Sequence, residues 1–320
     1  MVRQYFTPTL TLAAALSLSA SACSPRDTGD RTAAVSDSAS AGAKSEASAS
    51  MATKTGELRD QLQAPEAVRY DPDQKVWFVA NINGEPAGKD NNGYISRISP
   101  DGKVETAKFI AGGAKGVTLN APKGMAITGD TLWVADIDAV RSFNRRTGAP
   151  IASVKVTGAK FLNDAAAGPD GAIYLTDTGV AADFSHPGPD RIYQIKGGKA
   201  SVALESAELS GPNGITWVAE DDHFVIVPFL GTNIVAWKPG EKTVRTLGTG
   251  PGQQDGVEVL PDGGLLITSW TDSSLFVLKD GRSTRVAYPV PSAADIGFDG
   301  KSQVAVPLLA ENRVEFWELP

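Results

Sequence analysis

The sequence predicts an all-β fold, a six-bladed β-propeller of four-stranded antiparallel blades, and three observations carry that expectation. Five short segments open alike, with a polar residue, a small or apolar one, and then a β-rich run: Glu66-Ala67-Val68, Lys123-Gly124-Met125, Asn163-Asp164-Ala165, Asn213-Gly214-Ile215 and Asp255-Gly256-Val257. A sixth, Ala294-Asp295-Ile296, keeps the rhythm with Ala at the polar position, or with Asp295 there if the register slips by one. About ten residues after each start comes a second apolar run, such as Val76–Val79, Leu132–Val134 or Phe224–Val227, and the turn between is often Pro-Asp-Gly, as at Pro169-Asp170-Gly171 and Pro261-Asp262-Gly263. Copies spaced by about 40 to 57 residues match the length of a four-stranded propeller blade.

The first element in chain order is a leader. Arg3 precedes an apolar stretch from Leu10 to Leu18 and then Ala20-Ser21-Ala22-Cys23, a secretory pattern with small residues before the cleavage point. It resembles the bacterial lipobox, which implies cleavage before Cys23 and acylation of that residue, with ordinary secretion as the alternative. Residues 1–22 are then a signal peptide. Several acyl chains at roughly 0.8 kcal/mol per buried CH₂ anchor a protein stably, where one chain does not. From 23 to 54 the chain is rich in Ser, Ala and Thr, and no aromatic residue occurs between Phe6 and Tyr70. Such a segment buries too little to offset its ordering entropy and reads as a tether.

The propeller is expected over 55–320. Its last blade offers only Ala294–Phe298, Gln303–Leu309 and Arg313–Leu319, and the stretch from Gly56 to Gln63 is the expected donor of the missing strand. That exchange closes the ring and removes two open sheet edges.

Composition narrows the function. Of 320 residues 42% are apolar, ample for a core, and the formal charge of −7 argues against nucleic acid and against adsorption on anionic lipid. One cysteine excludes a disulfide framework and a Cys-rich zinc site. No Gly-x-Ser-x-Gly elbow is present, which disfavours a serine hydrolase. Gly112 to Gly116 lacks the spacing of a phosphate-binding loop.

Radial symmetry carries the start of every inner strand to one face of the channel. That face also receives the connections between second and third strands, of which Asn81–Asn92 and Thr178–Asp190 are long. Loops on a rigid scaffold concentrate binding function, so this face is the candidate site. Glu66, Asn163, Asn213 and Asp255 bring two carboxylates and two amides there. Hard oxygen donors of this kind suit one divalent cation, Ca²⁺ first, with Mn²⁺, Mg²⁺ or Zn²⁺ also admitted. Polar channels also exist without any ion. Lys123, at the ring position of the second blade, either stabilises an oxyanion or substrate carboxylate or forms a salt bridge with Glu66 or Asp295. His186, in the second long loop, is a candidate for substrate contact or proton transfer. His223, after Glu220-Asp221-Asp222, is expected to be solvated on the opposite face. Trp77, Trp133 and Tyr174 recur at one blade position and read as packing between blades.

Pro212-Asn213-Gly214-Ile215-Thr216-Trp217, Asn163-Asp164 and Asp255-Gly256 resemble motifs of the senescence-marker-protein/gluconolactonase/luciferin-regenerating-enzyme family, over roughly Pro65 to Pro320. The resemblance implies a six-bladed, divalent-metal propeller, with many members hydrolysing lactones. It implies that Glu66, Asn213 and Asp255 ligate the metal and that Asn163 lies at its edge, against substrate or water. Two departures stand out. The arginine expected two residues before the Asn-Asp pair is Phe161 here, and Ala64-Pro65-Glu66-Ala67-Val68 matches the glutamate motif loosely. A more apolar lactone or ester is therefore as compatible as a sugar lactone.

Two functions follow. One is a metal-dependent lactonase or esterase in which metal-activated water attacks the carbonyl, with Asp255 as base and Lys123 or the metal stabilising the oxyanion. The other is a non-catalytic cell-envelope propeller that binds a ligand or partner around a structural metal. In either case the chain is expected to be a monomer on the bacterial envelope, attached only by its lipid.

Overall fold

A computed structural model describes residues 50–114 and 116–320. The leader, Cys23 and the tether up to residue 49 lie outside the described residues.

Six four-stranded antiparallel sheets surround one axis. Their innermost strands are Pro65–Asp71, Pro122–Thr128, Leu162–Ala167, Pro212–Val218, Gln254–Val259 and Gly297–Phe298, for blades one to six. Blades one to five each use four consecutive strands. Blade six is closed by the described N-terminal strand, Thr53–Leu58, which pairs antiparallel with Arg313–Glu318. The closing strand thus starts three residues earlier than Gly56 and stops at Leu58. Lys54 explains the earlier start, because its ammonium bonds Glu315 at 2.7 Å across the two strands. Leu62 lies beyond the strand and is buried in the apolar seam between blades six and one.

Each neighbouring pair of blades shares one apolar seam, as sheets packed face to face require. Phe78 and Ile95 of blade one meet Leu132 and Phe143 of blade two. Tyr174 of blade three meets Phe224 and Trp237 of blade four, with ring centroids 4.6 and 5.8 Å apart. Trp77 reaches Phe316 of blade six at 6.4 Å, so the seam that closes the ring is aromatic too. The recurring aromatic position is packing between blades, as its period suggests.

The small residue after the ring position also has a packing cause. A Cβ on Gly124 would lie 2.0 Å from Asp164 Oδ1, on Gly214 2.3 Å from Asp255 O, and on Gly256 2.5 Å from Ile296 N. The inner strand of the next blade passes directly over these positions. The Pro-Asp-Gly turns need glycine for a different reason, because Gly171 and Gly263 have φ of 74° and 78°.

Candidate active site

Each inner strand of blades one to five begins with a β-bulge. The pairing loses register by one residue between Pro65 and Ala67, Pro122 and Met125, Leu162 and Ala165, Pro212 and Ile215, and Gln254 and Val257. A bulge breaks the in-and-out alternation and re-aims side chains. Here it falls on the ring residues themselves. The end of the second strand then fixes the approach to the ring. Asn81 Oδ1 accepts from Gln63 N at 3.1 Å, Asp136 Oδ1 accepts from Ala121 N at 2.9 Å, and Asp177 Oδ1 accepts from Phe161 N at 2.8 Å.

The register of blade six is settled by hydroxyls. Thr176 Oγ1 donates to Asn213 O at 2.6 Å, and Thr268 Oγ1 donates to Ala294 O at 3.2 Å from the equivalent place one blade earlier. Ala294 is therefore the sixth ring residue, and Asp295 sits one step deeper.

Glu66, Lys123, Asn163, Asn213 and Asp255 converge on the floor of one cavity of about 420 Å³, a size suited to a small molecule. All five are buried. Glu66 Oε2, Asn213 Oδ1 and Asp255 Oδ1 have no hydrogen-bond partner. Asn163 donates its amide N–H to Thr178 Oγ1 at 3.1 Å, which leaves Oδ1 as its acceptor. Buried polar atoms left unpaired cost about 1–3 kcal/mol each, so three together on one floor call for a cation or a donor. No three His, Cys, Asp or Glu among the described residues lie close enough to share an ion. A cation here would need the amide oxygens of Asn213 and Asn163 beside the two carboxylates. The donor set is all oxygen and fits a hard divalent ion.

Electrostatics point the same way. Burial pushes the Glu66 carboxyl well above its usual range, and Asp255 adds to the rise while Lys123 opposes it. Burial, reinforced by Asp164, lifts Asp255 to about 8, against the pull of N–H groups on Asn213 and Trp270. Burial lowers the Lys123 ammonium, and Glu66 and Asp136 draw it back up.

Lys123 makes neither of the two salt bridges weighed for it. Its Nζ donates to Pro86 O at 2.9 Å and to Ala121 O at 3.1 Å, and it lies 4.3 Å from the centre of the Phe161 ring. Pro86 belongs to the long loop of blade one, so the ammonium ties that loop to the floor. His186 stands apart from this floor. It is not among the residues lining the cavity, and its Nε2 lies 2.6 Å from Asp190 Oδ1, whose other oxygen accepts from Gly211 N at 2.8 Å. It braces the base of its own loop. His223, expected in solvent, is only 8% exposed, its Nδ1 3.2 Å from Asp221 O.

Sequence reasoning missed a second layer beneath the floor. Arg69 donates to Glu258 at 2.6 Å and to Met125 O at 2.7 Å, and its guanidinium lies 3.8 Å from Asp295. Asp164 is held by Ala165 N at 2.6 Å and Ile215 N at 2.8 Å. Burial lifts Asp164 to about 6 and Glu258 to about 7, with Arg69 opposing both. The signal was present, since Arg69 and Glu258 are charges set between apolar or aromatic neighbours, Val68 and Tyr70, and Val257 and Val259, each three residues after its ring residue. The walls were missed as well: Phe161, Val180, Phe184, Phe229, Trp270 and Leu309. A larger hollow of about 790 Å³ lies between the outer strands of blades five and six, but charged turn residues such as Asp262 and Lys279 pair there with each other.

Residues 64–304 match the profile of the SMP-30/Gluconolactonase/LRE-like region. No curated protein sequence matches the chain significantly. Among solved structures, a gluconolactonase from Xanthomonas campestris superposes with a TM-score of 0.62 at 16% identity, covering 86% of this chain and 96% of that one. A luciferin-regenerating enzyme gives 0.61 at 14% identity, over 80% and 92%. A virginiamycin B lyase from Staphylococcus aureus gives 0.58 at 16% identity, over 83% and 99%. At such identities the structural likeness establishes the shared fold.

Proposed function

The chain belongs to the SMP-30/gluconolactonase/LRE-like family, and on that premise we propose that it is a divalent-cation-dependent hydrolase of the lactonase type. One observation carries the reading: the unpaired oxygens of Glu66, Asn213 and Asp255, brought from three blades to the floor of one cavity. These residues, with Asn163 at the edge, would hold the cation, Ca²⁺ being the ion that their chemistry suits best. When bound, such an ion supplies Lewis acidity at a carbonyl and eases deprotonation of water.

The remaining work falls to side chains of this chain. Asp255, whose Oδ1 is unpaired at the cavity floor, is the carboxylate placed to act as general base. Lys123 spends two N–H groups on carbonyls, and its third is the donor for charge developing on the substrate oxygen. Asn163, its orientation set by Thr178, positions the ring of the substrate. The apolar walls exclude water from the reacting bond. Outside the described residues, the leader and Cys23 support a lipid-anchored protein of the bacterial envelope, which we take to be monomeric.

The test uses the full-length protein in detergent with a panel of lactones and aryl esters, in Ca²⁺, in Mn²⁺ and in chelator. Ring opening that chelator abolishes, and that Asp255→Asn lowers by roughly 10²-fold or more, is the expected result. A protein that binds the cation and opens no member of the panel is a binding module instead.

A further inference from the structure

We propose that the ligand of this cavity is a lactone or ester carrying an apolar alkyl or aryl substituent, and not a polyhydroxylated sugar lactone. The inference rests on the hydrolase reading for the reaction and on the cavity walls for the substituent.

The cavity is divided by chemistry. The ring residues supply most of its polar atoms, and its walls are mainly hydrocarbon drawn from five blades: Ile82 and Pro86, Phe161 and Phe184, Phe229 and Leu230, Trp270, and Leu309. The polar exceptions in the wall are Thr178, Gln253 and the unpaired Nε1 of Trp270. Two aromatic pairs frame it edge to face, Phe161–Phe184 at 6.2 Å and Phe229–Trp270 at 5.5 Å. Phe184 is 58% exposed and Leu230 50%, so the mouth presents large apolar side chains that the protein itself leaves uncovered. Isolated exposed apolar residues need no explanation. Two of them continuous with a buried apolar wall form a surface that a ligand can desolvate.

The same walls are poor hosts for hydroxyls. Thr178 Oγ1 already accepts from Asn163 and donates to Pro212 O at 2.9 Å. Lys123 commits two of its N–H groups to carbonyls and has the Phe161 face beside it. Beyond Trp270 Nε1 and the exposed Gln253, the wall has few partners to give the several hydroxyls of a sugar, and those left unpaired would lose their water at a cost. An alkyl or aryl group loses nothing there and gains from leaving water.

Binding and turnover are measured separately, so that the substituent and the reaction are tested apart. The binding probes are γ-butyrolactams with butyl, hexyl and octyl substituents, rings in which an amide replaces the ester so that they resist opening. They are titrated calorimetrically into the full-length protein with Ca²⁺. The turnover probes are the matching γ-lactones and glucono-1,5-lactone. We expect affinity to rise by about fourfold per methylene, with octyl lactone turned over more efficiently than the sugar lactone. Phe184→Ser, at the exposed mouth, should weaken the octyl lactam about tenfold and the butyl one less, with an unaltered melting temperature as the check that the fold is kept. Flat affinity across the series, or a sugar lactone turned over faster than the octyl lactone, overturns the inference even if the hydrolase reading stands. Lactams that bind with the expected slope while no lactone opens uphold the apolar ligand class and overturn the hydrolase reading alone.

Discussion

Arg69 and Glu258 stand at equivalent positions of blades one and five, three residues after the ring residues Glu66 and Asp255, and they meet across the channel at 2.6 Å. Arg69 also lies 3.8 Å from Asp295 and is the cation that opposes the raised proton affinity of Asp164, Glu258 and Asp295. One guanidinium therefore offsets three carboxylates beneath the proposed cation site, Asp164 and Asp295 buried and Glu258 partly buried.

Removing that guanidinium should be costly. Arg69→Met leaves Glu258, Asp295 and Asp164 without their counter-charge, and breaking a buried pair from one side costs about 3–5 kcal/mol. Urea denaturation should show a loss of that size, with Glu258→Gln less affected because Arg69 still faces Asp295 and Asp164. Equal, small losses in both variants would mean that the channel is wet enough to screen the pair.

The cation should stabilise the fold. A ligand that binds only the native state at a hundred times its dissociation constant contributes about 2.7 kcal/mol. Ca²⁺ or Mn²⁺ should raise the melting temperature of the full-length protein. Asp255→Ala and Asn213→Ala should abolish the rise, whereas Asp170→Ala, in a turn where its carboxylate meets Lys196, should keep it. A melting curve indifferent to both metal and chelator removes the site.

The pH dependence has a definite sign. Asp255 rises from 3.8 to about 8, Asp164 from 3.8 to about 6 and Glu258 from 4.5 to about 7. Each group binds its proton more tightly in the folded protein, so its contribution is complete below the unfolded value and is lost as pH climbs through the folded one. In chelator, stability should therefore fall between pH 5 and pH 8. A cation competes with those protons, so the stabilisation by Ca²⁺ should grow over the same interval. Melting temperatures across that range, with and without Ca²⁺, check both slopes.

Lys123 should act on the long loop of blade one. Its ammonium bonds the carbonyls of Pro86 and Ala121, and Lys123→Met leaves both without that donor, at about 1–3 kcal/mol for each that stays buried. Limited proteolysis should cut between Asn81 and Gly93 faster in the variant, with cutting of the Thr178–Asp190 loop unchanged. Equal cutting at both loops would mean that the ammonium is not the tether.

Cys23→Ser should move the protein from the membrane fraction to the soluble one without altering its melting temperature, because every blade is built without a thiol. Retention in the membrane after salt and carbonate washes would disprove the lipid anchor.

The sequence by itself determined the blades and the ring. Periodicity exposes both, because each blade must repeat an apolar strand pair and a tight turn, and radial closure turns the repeated polar position into a circle of five side chains. The small residue beside that position was legible for the same reason, since Gly124, Gly214 and Gly256 answer to a neighbouring strand that recurs. Tertiary structure decided whatever depends on contacts between residues distant in the chain. No local pattern tells Lys123 to choose the carbonyls of Pro86 and Ala121 over Glu66, or His186 to turn toward Asp190 and away from the cavity. The bulges that aim the ring residues appear only when two strands pair, and the Arg69–Glu258 bond spans 189 residues. Ile82, Phe229, Trp270 and Leu309 each directly follow the second strand of their blade, yet only the closed ring places them with Phe161 around one floor.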